Sequence, residues 1–545
     1  MSNLFERRYF LFDFARGRHL NKTETILLFE TLKRAGYNGI ALHLEGFFET
    51  KKYKGIVKEA FLTLEEAKWF CARAKEYDFD IIPVINLVAH AESFIFHQER
   101  FADMRRTEYT TRTDRISQFN LFDKRLEPFA YSIIDEIINI FSPNFLHIGG
   151  DETTLNDDEK EKYVVFLSNL CSYIRKKGIK PCIWGDMILE NQSMLKDFTK
   201  DVTVFDWYYD GHRKESLEKI QKNGFNEIFA CCSDQGWDCF IGTQRHFGKN
   251  VAFDEKNLSA INQVEAFLCD ANELGIKNAM VTNWENYNGH NLWSQMDAIV
   301  RAGLYMTGRD FSNESVEKCL FGRITPHFKI TRLLQKLQLG LYSILNANKS
   351  HKYLNNRMTN GIFIEYVFME WVGLTDEIIE QTEDFYPLLN EANQLFDGWI
   401  AENEVEKICR ASINATLCYV KSMFSLMRLC GHGYRKYHEA AVKQFDNQKE
   451  SIQCLNSVIE YISKLISDVN EFKEAQSKYL SMAGQTKLDL IRLEAFANSM
   501  GSFSNKIMEL SNHIDEYKDD IDNMYVLPGW HFLMLNVDKF ESVYK

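Results

Sequence analysis

No stretch of this 545-residue chain approaches the roughly 18 uninterrupted apolar residues a membrane-spanning helix needs, so no membrane partner is expected. The N-terminus, MSNLFERRYFLFDFARG, has no apolar core of signal-peptide length followed by a small-residue cleavage site, and no secretory leader is expected. Twelve cysteines are scattered without a single C-x-x-C, and the adjacent Cys231 and Cys232 are poorly placed to bridge each other. Free, buried thiols in a reducing compartment follow, which makes the expected location cytoplasmic. Long basic runs are also missing. With a net charge of −13 and a pI near 5.6, the chain on average repels a phosphate backbone, and no nucleic-acid partner is expected.

What is present is an ordinary globular balance, 45% hydrophobic and 26% charged, in a chain too long for one ordinary domain. Short apolar runs alternate with amphipathic stretches up to about residue 305. The strand candidates are YFLFDFA (9–15), NGIALHLEG (38–46), DIIPVINL (80–87), FLHIGGDE (145–152), PCIWGDMI (181–188), VTVFDWYY (202–209), NEIFACCS (226–233) and NAMVTNWEN (278–286). Helix candidates between them include 23–37, 63–78 with a Thr-x-x-Glu cap at its start, and 127–141. The strands are apolar along most of their length, as expected of a parallel sheet covered on both faces. Eight β/α units over about 300 residues predict an α/β fold of the (β/α)8 TIM type over residues 1–310. An open doubly wound sheet is the rival, but DFARGRH is not the glycine-rich phosphate turn that fold usually carries after its first strand.

A closed barrel collects reactive residues where strands end. The unusual polar and aromatic residues fall there: Asp13 and Arg16, His43 and Glu45, Asn86 and His90, Asp151 and Glu152, Trp184 and Asp186, Trp207 and Tyr209, Trp284 and Glu285. Beyond residue 310 glycine thins out and helical periodicity dominates, as in the run 448–480, so residues 311–545 are expected to form an all-helical domain. No sustained heptad supports a coiled coil, and a homodimer stays open as one use of such helices.

The segment LHIGGDET carries most of the chemistry. Alternation along a strand puts His147, Gly149 and Asp151 on one face and starts Glu152 on the other, while two glycines let the backbone turn so that both acids reach one pocket. Acids placed after an apolar strand are uncomfortable, and at least one is expected to hold its proton tightly. HIGGDE resembles the His-x-Gly-Gly-Asp-Glu signature of glycoside hydrolase family 20. LHLEGFFE (42–49), IIPVINLVAHAESF (81–94), IWGDMIL (183–189), FDWYYD (205–210) and TNWENYNGH (282–290) are similar to segments of its hexosaminidase D branch, in the same order.

The resemblance covers residues 8 to about 310. It implies an exo-β-N-acetylhexosaminidase that removes terminal, non-reducing β-linked GlcNAc or GalNAc from a glycan or glycoconjugate. The implied mechanism is retaining and substrate-assisted, with no cofactor and no metal. By similarity Glu152 is the proton donor, and Asp151 orients the substrate's acetamido group. Arg16, His90, Trp184, Trp207, Tyr209, Trp284 and Glu285 bind the sugar. One departure from the family is CCSDQGWDCF, which has no tyrosine where many members carry one to bond the acetamido carbonyl. Tyr209 is the substitute. Two other readings compete: a metal-dependent barrel hydrolase using His43, His90, His147 and Asp151, which lacks an HxH pair on the first strand, and a non-enzymatic glycan-binding protein.

Overall fold

The computed structural model describes residues 3–15, 21–45, 48–50, 52, 62–95, 99–107, 118–209, 211–233, 264–284, 291–347, 376–483 and 488–530. Eight parallel strands close into a barrel in sequence order: β1 (Arg7–Asp13), β2 (Gly39–His43), β3 (Asp80–Val84), β4 (Phe145–His147), β5 (Lys180–Trp184), β6 (Thr203–Trp207), β7 (Ile228–Ser233) and β8 (Asn278–Asn283). β1 pairs with both β2 and β8, Leu11 lying opposite Ala41 on one side and Thr282 on the other, so the sheet has no free edge.

The near-continuous apolar strands have a direct cause. Tyr9, Leu11, Ala41, Ile82, Val84, Phe145, Cys182, Trp184, Phe205, Phe229, Cys231 and Met280 point inward and fill the barrel as one cluster. Their chain neighbours Phe10, Ile40, Ile81, Leu146, Ile183, Val204, Ala230 and Ala279 point outward into the core shared with the helices. Counting onward by two along each strand leads from that filling to the mouth: Asp13 after Leu11, His43 after Ala41, Asn86 after Val84, His147 after Phe145 and Asp186 after Trp184.

The helices form where periodicity and caps predict. Leu64–Glu76 opens on a capping box in which the Glu66 N–H donates to Thr63 Oγ1 and the Thr63 N–H donates to Glu66 Oε2. One expectation is revised. The strand anticipated over 145–152 ends at His147, because Gly149 and Gly150 take φ of 76° and 96°, a region no strand enters. A Cβ at Gly149 would lie 2.3 Å from Asn86 Oδ1, so the backbone there passes too close to the β3 loop for any side chain.

After the helix Met296–Met306 the described residues are helical, with long members at Glu404–Arg428, Gln448–Met482 and Leu488–Glu516. They share one hydrophobic core with the outer ring of the barrel. A reciprocal amide pair, Asn291 with Gln476 at 3.0 and 3.1 Å and both fully buried, ties the Gln448–Met482 helix to the segment after β8. Among the described residues no helix is long and apolar enough to cross a membrane. The eleven described cysteines are all unbridged.

Candidate active site

The mouth of the barrel is floored by aromatic rings and rimmed by carboxylates. Trp184, 1% exposed, lies under the mouth, with the His147 ring 4.4 Å and the Trp284 ring 6.2 Å from it, centroid to centroid. Trp207 and Trp284 are only partly buried and stand above this floor, and Tyr209 lies 5.1 Å from the Trp207 ring. Tyr209 Oη accepts the Trp284 indole N–H at 2.8 Å. Burial raises the Tyr209 pKa, and its bonds to Trp284 and Thr282 oppose that rise. The phenol therefore stays neutral and keeps its own hydrogen.

Asp151 and Glu152 follow the two glycines. His90 Nε2 lies 3.3 Å from Glu152 Oε2 and 3.8 Å from Asp151 Oδ2, so one imidazole faces both acids. The Asp151 side chain is 17% and the Glu152 side chain 40% exposed, open to a ligand arriving at the mouth. Burial raises the Asp151 pKa, His90 draws it down, and the Glu152 charge pushes it up again; the net direction is upward. The expectation of a tightly held proton agrees with that direction.

Below the acids sits a buried polar chain. Asp13 Oδ1 is 2.8 Å from His43 Nδ1, His43 Nε2 is 3.2 Å from Asn86 Nδ2, and Glu45 Oε1 lies 3.7 Å from the same His43 nitrogen. His147 uses Nδ1 to accept the Gly149 N–H at 3.1 Å, and burial, then His43, hold it well below the ordinary imidazole range. Burial thus favours its neutral form. Tyr163, on the helix Asp157–Lys176, donates its hydroxyl to the Gly150 carbonyl.

Five non-glycine residues among those described have φ in the left-handed region, and three of them, Glu45, His90 and Glu152, are at this mouth. Such strain persists only where surrounding structure holds it, and it concentrates at working sites. Of the residues singled out from the sequence, the structure gathers Asp151, Glu152, His90, Trp184, Trp207, Tyr209 and Trp284 here. Arg16 and Glu285 lie outside the described residues. Sequence reasoning placed Asp186 at a strand end but missed its contact, a 2.8 Å bond from the Glu152 N–H to Asp186 Oδ2. Tyr163 carried no signal, since it reads as one more aromatic on an amphipathic helix. Among the described residues no group of three or more His, Cys, Asp or Glu side chains is arranged to hold a metal ion.

The family profile described as "Glycosyl hydrolase family 20, catalytic domain" matches residues 41–272, from β2 past β7. A lacto-N-biosidase from Bifidobacterium bifidum is 22% identical over 178 residues, 29% of this chain and 16% of that protein. A beta-hexosaminidase from Akkermansia muciniphila is 24% identical over 196 residues, 32% of this chain and 38% of that protein. This chain thus spans well under half the length of both relatives. The crystal structure of a beta-N-acetylhexosaminidase from Bacteroides fragilis aligns with a TM-score of 0.43 at 18% identity, over 56% of this chain and 66% of that one. Residues 41–272 of this chain, most of its barrel, are thus similar to the catalytic domain of glycosyl hydrolase family 20.

Proposed function

We propose that this protein is an exo-β-N-acetylhexosaminidase of the hexosaminidase D type. It cleaves terminal β-linked GlcNAc or GalNAc with retention, through the substrate's own acetamido group. The observation that carries the reading is the acid pair: two consecutive carboxylates, accessible at the barrel mouth, with one histidine within 4 Å of both. Glu152, the more open of the two, protonates the departing glycosidic oxygen and later takes a proton from water. General acid catalysis of this kind is typically worth roughly 10²–10⁴-fold.

Asp151, deeper and flanked by Glu152, accepts the acetamido N–H and turns the carbonyl oxygen toward the anomeric carbon. Holding an internal nucleophile in line contributes on the order of 7–11 kcal/mol. Tyr209, with its hydrogen uncommitted to Trp284, bonds the acetamido carbonyl, and Trp184, Trp207 and Trp284 pack on the methyl and the sugar face. Arg16 and Glu285 bind the sugar's hydroxyls. Unbridged cysteines support a cytoplasmic location.

The test is a paired rate measurement on aryl β-GlcNAc and β-GalNAc, with aryl β-glucoside as control. The expected result is turnover of the acetamido sugars and little of the glucoside. Equal rates on all three would rule out acetamido participation.

A further inference from the structure

Asp186 lies outside the acid pair and yet grips it. It opens the short helix Asp186–Glu190 after β5, and its Oδ2 accepts the Glu152 backbone N–H at 2.8 Å, while its Oδ1 is buried with no hydrogen-bond partner. Glu152 has φ 47°, a conformation that a residue bearing a side chain leaves unless something holds it. Before it, Gly149 and Gly150 lie past the end of β4 and take φ values that glycine alone adopts freely, although the Gly149 carbonyl still accepts the Trp184 N–H at 3.1 Å. Tyr163 fixes the carbonyl of Gly150 on one side of this turn, and Asp186 fixes the amide of Glu152 on the other.

We propose that Asp186 is the positioning residue of the proton donor: by holding the Glu152 amide it keeps that residue's left-handed backbone and so aims its carboxyl at the leaving oxygen. This rests on the reading of Glu152 as the acid. The groups that face Asp186 are Asp151, Glu152 and Glu190, all of like charge, and the Tyr163 phenol. Burial first, and Asp151 next, raise the Asp186 pKa to about 8. Burial thus favours the protonated form of Asp186, which accepts the amide without adding negative charge beside Asp151.

The experiment compares Asp186→Ala and Asp186→Asn on two substrates, a β-linked disaccharide with a poor leaving group and an aryl glycoside whose leaving group needs little protonation. Asp186→Ala is expected to lower kcat on the disaccharide on the order of 10²-fold, the scale of an acid displaced by about 1 Å, with KM little changed and a much smaller loss on the aryl glycoside. Asp186→Asn, which keeps an oxygen for the amide, is expected to stay within severalfold of wild type on both. A purely structural role would depress both substrates equally. Equal losses, or an asparagine variant as impaired as the alanine one, would overturn the proposal. Should the alanine variant not fold, Asp186→Leu fills the space without an acceptor and carries the same expectation, and normal disaccharide turnover by it would be equally fatal. Glu152→Gln is measured alongside. If it leaves the disaccharide rate untouched, the donor assignment itself has failed and takes this proposal with it.

Discussion

Two buried carboxyl environments in this molecule are treated in opposite ways. In the helical region Glu406, fully buried, receives Arg323 Nε at 2.9 Å and Nη2 at 2.7 Å, the Asn403 side-chain amide at 3.1 Å, the Glu402 N–H at 3.2 Å and the Trp399 indole at 3.3 Å. Burial pushes its pKa up, but those donors outweigh burial and leave it below the ordinary carboxylate value. At the barrel mouth Asp151 Oδ1 and Asp186 Oδ1 are buried with no hydrogen-bond partner, and both pKa values are raised. Saturated carboxylates hold a fold together. Carboxylates left with open oxygens, facing each other, mark a place where a ligand completes the bonding.

The contrast can be broken experimentally, most strongly at the mouth. Glu152→Gln is expected to lower kcat on a natural disaccharide by at least roughly 10²-fold while the thermal midpoint hardly moves; a large fall in the midpoint would mean that Glu152 belongs with the structural carboxylates. Arg323→Ala should do the reverse. It strands Glu406 and is expected to lower stability measurably by denaturant titration, with activity per folded molecule unchanged.

The next effect is in the pH dependence, where the two regions differ in sign. Asp186 has a folded pKa raised to about 8 from 3.8, so its contribution to stability is full below the ordinary value and is lost as pH rises through about 8. Glu406 is lowered, so its contribution is present above the ordinary carboxylate range and is lost on acidification. Thermal midpoints measured across pH should show wild type losing ground to Asp186→Asn from about pH 4 to about pH 8, and losing its advantage over Arg323→Ala toward acid. Parallel curves would erase the distinction. The smallest effect is expected at the amide pair, where a double-mutant cycle of Asn291→Leu and Gln476→Leu should return a coupling of about 1 kcal/mol in unfolding free energy.

Much of this was legible in the sequence because the barrel is periodic. Alternation assigns Leu11 and Ala41 to the filling and Asp13 and His43 to the mouth without any coordinates, and the Gly-Gly before Asp151 announces a backbone turn. The length of β4 was not legible. The strand expected over 145–152 stops at His147, where Gly149 and Gly150 then take positive φ and Asn86 lies too close to Gly149 for any side chain. Nor was Asp186: a side chain that bonds a backbone amide 34 residues away leaves no pattern along the chain. Tyr163 is hidden for the same reason, since helical spacing says which face a residue is on and nothing about which carbonyl its hydroxyl finds.

That phenol has a consequence for how damage would propagate. It comes from the outer ring of helices, and yet it is bonded to the peptide group immediately before the two acids. A substitution that merely loosened the packing of the Asp157–Lys176 helix would shift this anchor, and the turn that carries Asp151 and Glu152 would wander before the barrel itself came apart. In this architecture the outer wall serves as the tensioner for the inner one.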